Sequence, residues 1–260
     1  MVQATTTEMM QDLADLGEYF WAGEAEIATT FLQAPHQPED HVHWLMHQCL
    51  RELRGTGLLL RPGTRTQWFI DNVMAGLPDA ETSEGRDALE YGLHQMLEEF
   101  THYRKYADIL ESITGGPVRM ADLEALHLPS DDRLEALRAR LLSENPDLAN
   151  LTFSFAEGGG AGIFYAGAVL QTEDPLLLRI KAAGKEIYNE EVGHYDHNAD
   201  GVGIAIESGQ DFDSLKAMII EVCQERLRMR AEMHGITISE ERIQEITNRQ
   251  IEPLKPHVIA

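Results

Sequence analysis

The stretches Glu99-Phe-Thr-His102 and Glu191-Val-Gly-His194 lie in two long segments with the apolar periodicity of α-helices. Each stretch places a glutamate three residues before a histidine. Three residues along an α-helix rotate a side chain by about 300° and advance it by about 4.5 Å, so both side chains share one face. A carboxylate and an imidazole in this arrangement can bind the same metal ion. The chain is therefore predicted to be helical, with metal ligands on helix faces that are otherwise apolar.

A third Glu-x-x-His step, Glu124-Ala-Leu-His127, is followed directly by Leu-Pro. Proline disfavours helical backbone in the residue before it, so this pair is expected at a helix end or in a connection. We therefore leave it out of the predicted metal site.

Composition excludes several classes of protein. The 260 residues carry a formal net charge of −23, whereas nucleic acids and anionic membranes attract cationic surfaces, so neither is an expected partner. Cys49 and Cys223 are too few and too far apart for a disulfide framework or a thiolate zinc site. The N-terminal residues lack the features of a signal peptide, and no apolar run approaches the length of about 18 residues that spans a bilayer. A cytoplasmic location is expected.

Helical periodicity predicts one all-α domain over residues 1–260, with no convincing strand pattern. A helical insertion or cap is expected at about 34–76. The predicted helices cover approximately 8–33, 41–55, 64–75, 83–113, 130–142, 148–170, 175–197, 211–233 and 239–251.

Two further glutamates lie on apolar helical faces. Glu157 is the one charged residue within the nearly uncharged segment 148–170, which reads as a buried helix. Gly158, Gly159 and Gly160 follow it, and such helix-weakening residues indicate close approach of a neighbouring helix or a substrate. In the first predicted helix, Glu24 shares the apolar stripe. A buried carboxylate needs a proton or a cation, so both glutamates are candidate metal ligands.

The donor set favours a transition metal. Several carboxylates with two imidazoles suit iron or manganese better than calcium or magnesium, and a closed zinc site would require thiolates. Two iron ions are the first choice and manganese is the second.

The order Glu, Glu-x-x-His, Glu, Glu-x-x-His resembles that of the ferritin-like di-iron carboxylate superfamily. The resemblance implies that Glu99 and Glu191 bridge the metals and that the histidines of the same two motifs are terminal ligands. It also implies that Glu157 is a terminal carboxylate and that Glu99, Glu157 and Glu191 take part in catalysis. The chain departs from the family in its first half, where the helix before Glu99 offers no matching glutamate. Glu24 is assigned there by its helical face.

The chain also resembles the haem-oxygenase-like di-iron oxidases, which carry a His-x-x-x-Asp/Glu-x-x-His run on their last ligand helix. In that alternative bundle His194 and His197 would end the run, but Glu190 stands where its first histidine is expected. His197 is therefore an additional candidate ligand in either fold.

Both resemblances imply an oxidoreductase of the monooxygenase or oxidase type. Such an enzyme uses dioxygen and an external electron donor to hydroxylate, N-oxygenate or desaturate a small organic substrate, as a monomer or a homodimer. Two alternatives stay open at this point. One is a protein for iron storage or peroxide handling, similar to ferritins and rubrerythrins, and the other is a helical interaction protein without metal.

Overall fold

The computed structural model describes residues 5–55, 73–158 and 161–259, with the backbone alone at Gly55, Glu157, Gly158 and 194–201. Every regular element in these ranges is helical, which confirms the predicted all-α class. The main helices are α1 (Thr6–Leu32), α2 (Asp40–Gly55), α3 (Ser83–Thr114), α4 (Met120–Glu124), α5 (Pro129–Glu144), α6 (Pro146–Gly158), α7 (Gly162–Ala168), α8 (Pro175–Glu207), α9 (Phe212–Met233) and α10 (Glu240–Thr247), with a 3₁₀ helix at Leu77–Glu81.

The helix predicted at 64–75 falls mainly outside the described residues. Two other boundaries differ from those expected. The apolar segment 148–170 forms two helices instead of one, because α6 ends at Gly158 and α7 begins at Gly162. Helix α8 continues to Glu207, ten residues beyond the end predicted at about His197.

The chain divides into two compact units. The first contains residues 1–35 and 127–260, and the second contains residues 36–126. The second unit reaches well beyond the segment 34–76 that was expected to be an insertion, because it also contains the whole of α3.

Helix α1 organises the first unit. The side chains of Thr5 and Glu8 form a reciprocal capping box at its start, which satisfies backbone donors of the first turn. Leu13, Leu16 and Phe20 recur at helical spacing and are buried, and α1 packs against α7, α8, α9 and α10. The apolar stripe predicted for this helix therefore forms the centre of the unit.

In the second unit, α2 packs along α3 and also contacts α4. Leu45 and Cys49 on α2 are buried, as are Tyr106 and Leu110 on α3. Helix α3 ends where Gly115 adopts a left-handed conformation with φ of 71°, the stop that the Gly-Gly-Pro sequence predicts. The α2–α3 pairing brings the inner faces of these two helices together.

In the described part of the chain, no helix is both long and apolar enough to cross a membrane.

Candidate metal centre

Glu52 on α2 and Glu99 and His102 on α3 form a cluster inside the second unit. One potential ligand atom from each of the three residues lies within 4.8 Å of the other two. His102 is fully buried, Glu52 is 5% exposed and Glu99 is half-buried. Among the residues whose side chains are described, this is the one group of three or more such ligands. The face that the sequence predicted for Glu99 and His102 is therefore the face turned towards α2.

The carboxylate of Glu52 is held from two sides. Its Oε2 atom lies 3.6 Å from Nδ1 of His102, and its Oε1 atom accepts a hydrogen bond from the side-chain amide of Gln48. Gln48 is also buried, one turn earlier on α2. The rings of Trp44 and Tyr106, one from each helix, meet edge to face with centroids 5.8 Å apart and form part of the apolar packing of the pair.

Electrostatics favour the ionised form of Glu52. Burial alone would raise the pKa of this carboxyl group, but the imidazole of His102, 3.6 Å away, lowers it by favouring the charged carboxylate. The hydrogen bond that Gln48 donates acts in the same direction, so the pKa lies below its ordinary value. Burial and the negative charge of Glu52 raise the pKa of Cys49, which stays a neutral thiol beside the cluster.

The donor set fits iron or manganese. Three ligand atoms spread evenly around one ion, each bonded at about 2.1 Å, lie about 3.6 Å from one another. The potential ligand atoms of the cluster lie within 4.8 Å of one another, so binding one ion would draw them together by up to about 1 Å. Two carboxylates with an imidazole are typical ligands of these metals, and the partial burial limits competition from water.

Glu24, the ligand predicted from the first helix, has two arginines that compensate its charge. It is 2% exposed, its Oε1 atom accepts a hydrogen bond of 3.2 Å from Nε of Arg226, and Oε2 lies 3.7 Å from Nε of Arg230. Both arginines are themselves buried in the first unit. These ion pairs account for the burial of Glu24, and its role as a metal ligand stays a prediction.

The ligands expected from the second half of the chain are placed only in part. Glu191 lies half-buried on α8. The side chains of Glu157, His194 and His197 lie outside the described residues, although their backbones belong to α6 and α8. The metal-binding roles of these four residues stay predictions.

The third Glu-x-x-His step lies outside continuous helix. Helix α4 ends at Glu124, and both Glu124 and His127 are exposed. The proline after Leu128 gave the correct reason for setting this pair aside.

The sequence prediction did not include Glu52, because α2 was expected to belong to an insertion or cap outside the metal site. The signal was present, since Leu45, Cys49 and Glu52 follow one another at spacings of four and three. A glutamate in an apolar stripe is the same evidence that singled out Glu24.

Comparison of the chain with protein-family models, curated proteins and solved structures gives no match. The ferritin-like and haem-oxygenase-like assignments therefore stay predictions.

Proposed function

We propose that the protein is a cytoplasmic oxidoreductase that binds two iron ions and uses dioxygen to oxidise a small organic molecule. The observation that carries this proposal is the buried cluster of Glu52, Glu99 and His102. Three elements of the sequence pattern support it as well: the second Glu-x-x-His step, the lone Glu157 and the acidic composition, which suits a cation-binding protein.

In this proposal Glu52, Glu99 and His102 hold one iron, and Glu157, Glu191 and His194 hold the other. Bound ferrous iron supplies the capacity to reduce dioxygen, which amino-acid side chains lack. The protein contributes positioned ligands: the pKa of Glu52 is lowered, and Oε2 of this residue lies 3.6 Å from Nδ1 of His102. Cys49 on α2 and Tyr106 on α3 are buried within about one helical turn of Glu52 and His102, and they limit the access of water to the first site.

A metal-free helical protein is the second candidate. The observation that favours it is the 3.6 Å separation of Glu52 and His102, since a protonated imidazole would be a cationic partner for the carboxylate. A buried carboxylate compensated in this way needs no metal. The two candidates differ in whether iron copurifies with the chain and depends on these side chains.

The test measures iron per chain in protein expressed with added iron. The wild-type protein should contain about two irons, one for each proposed set of ligands, and His102→Ala should lose at least one of them. His127→Ala is the matched control, since it removes the histidine of the exposed Glu124 step. It should leave the iron content unchanged.

Less than one iron per wild-type chain, with equal content in His102→Ala and His127→Ala, would favour the metal-free candidate. Thermal unfolding of the wild type with and without ferrous iron gives an independent readout. Binding to the folded state raises the unfolding temperature, whereas a metal-free protein shows no shift.

A further inference from the structure

Gln48 is buried next to the candidate metal centre and donates a hydrogen bond to one carboxylate oxygen of Glu52. It lies one helical turn before Glu52 on α2, and its side chain is 2% exposed. Residues four apart on a helix are neighbours, so the long side chain of Gln48 can reach the Glu52 carboxylate without distortion. The donor is the amide nitrogen, and the acceptor is Oε1.

The two carboxylate oxygens of Glu52 have different neighbours. Oε1 is occupied by Gln48, while Oε2 is the atom closest to Nδ1 of His102, at 3.6 Å. The Gln48 amide turns its nitrogen, not its oxygen, towards Glu52, because the amide oxygen and a carboxylate oxygen are both acceptors and would repel each other. A carboxylate held at one oxygen has lost most of its freedom to rotate about its terminal bond.

We propose that Gln48 is a positioning residue that fixes the Glu52 carboxylate so that Oε2 binds the metal. This inference rests on the proposed metal-binding function. Groups that hydrogen-bond to a metal ligand restrict its rotation, and their loss weakens metal binding although they never touch the metal. The burial of Gln48 strengthens the effect, because a hydrogen bond to a carboxylate is stronger where water does not compete.

The experiment measures Co²⁺ binding by the full-length apo chain, following visible absorption, for the wild type and for Gln48→Met. Methionine keeps the length and volume of the side chain and removes the donor. We expect Gln48→Met to bind Co²⁺ about 10- to 100-fold more weakly with unchanged stoichiometry, and with an altered spectrum because Glu52 changes its coordination.

Gln11→Met is the matched control. Gln11 donates a hydrogen bond of 2.7 Å to Asp15, also four residues ahead on a helix, but this pair is exposed on α1. The control removes the same kind of interaction far along the chain from Glu52. It should leave both the affinity and the spectrum at wild-type values.

Each result leads to a different conclusion. Wild-type affinity and spectrum in folded Gln48→Met would overturn the positioning role while leaving the proposed function intact. Absence of Co²⁺ binding by the wild type would overturn both. Should Gln48→Met fail to fold, Gln48→Asn replaces it. That variant keeps a buried amide but is one methylene too short to reach Glu52, so it should show the same loss, and wild-type affinity would again overturn the role.

Discussion

Glu24 and Glu26 lie two residues apart on α1 in opposite environments. Glu24 is buried beside Arg226 and Arg230, whereas Glu26 is exposed and pairs with Arg242 at 2.6 Å. The helical period explains the difference, because two residues rotate the side chain by about 200° and turn it to the other side of the helix.

Glu24→Gln should destabilise the protein by about 3 kcal/mol, since it removes the carboxylate from between two buried guanidinium groups. Glu26→Gln, the control, should cost about 1 kcal/mol or less, because exposed ion pairs contribute little. Urea unfolding at neutral pH measures both. Equal effects of the two substitutions would contradict the structural role of Glu24, and loss of iron in folded Glu24→Gln would support the ligand role instead.

Sequence reasoning at this scale succeeded where a helical face decides the outcome. It placed Glu24 on the apolar, buried face of α1, and it directed Glu99 and His102 to one face of α3. It could not identify the compensating partners, because Arg226 is 202 residues away along the chain from Glu24. Periodicity identifies the side of a helix that is buried, but not the residue that faces it.

At the scale of elements, the contact of α7 with α8 requires glycine. A Cβ atom added to Gly184 on α8 would lie 2.9 Å from the backbone oxygen of Phe164 and 3.2 Å from the backbone nitrogen of Ala168. Backbone atoms cannot move aside without shifting a helix. At Gly193, on the same helix, no atom of the described residues lies within 4 Å of the equivalent position.

Gly184→Ala should therefore destabilise the protein by about 1–3 kcal/mol through overpacking. Gly193→Ala should be neutral or stabilising by about 0.5–1 kcal/mol, because alanine favours helix over glycine. The midpoint of urea unfolding of the apo protein, with equal m-values, reports both changes. Equal changes in the free energy of unfolding for the two substitutions would show that α7 and α8 do not approach as closely as described.

Helix positions were predictable from apolar periodicity and stop residues, as the agreement of α3 and α9 with the expected ranges shows. The segment 148–170 was not, since an apolar run looks the same whether it forms one helix or two. Gly162 marks the second helix: a Cβ there would meet the backbone oxygen of Trp21 at 2.2 Å. Such a tertiary contact leaves no periodic signal in the sequence.

At the scale of the molecule, acidic residues outnumber basic ones by 44 to 21. A surplus of this size repels itself within a compact chain, so the positions of the few cations matter. Lys216 and Arg249 both contact the carboxylate of Asp12, each at 2.5 Å. This ion-pair cluster joins the start of α1 to α9 and to the residues that follow α10.

Arg249, a member of this ion-pair cluster, adopts an unfavourable backbone conformation. Its φ of 60° lies in the left-handed region, which costs a residue with a Cβ about 1 kcal/mol. The Arg249 guanidinium also donates a hydrogen bond of 2.8 Å to the backbone oxygen of Asp12. This bond and the ion pair with the Asp12 carboxylate offset the cost of the strained backbone.

Asp12→Asn should lower stability at neutral pH by about 1 kcal/mol, and the loss should disappear in acid. Partial burial would raise the pKa of Asp12, but hydrogen bonds and charge from Lys216 and Arg249 outweigh it, so the folded-state pKa is lowered. A lowered pKa gives stabilisation that is complete above the unfolded value of about 3.9 and is lost as pH falls through the folded value. Urea unfolding from pH 7 to pH 3 measures the difference between the wild type and Asp12→Asn.

Asp15→Asn is the control, because Asp15 accepts a hydrogen bond from the neutral Gln11. The effect of this substitution on stability should stay below about 0.5 kcal/mol throughout. A constant difference for Asp12→Asn across this range would show that the carboxylate charge does not hold the three segments together.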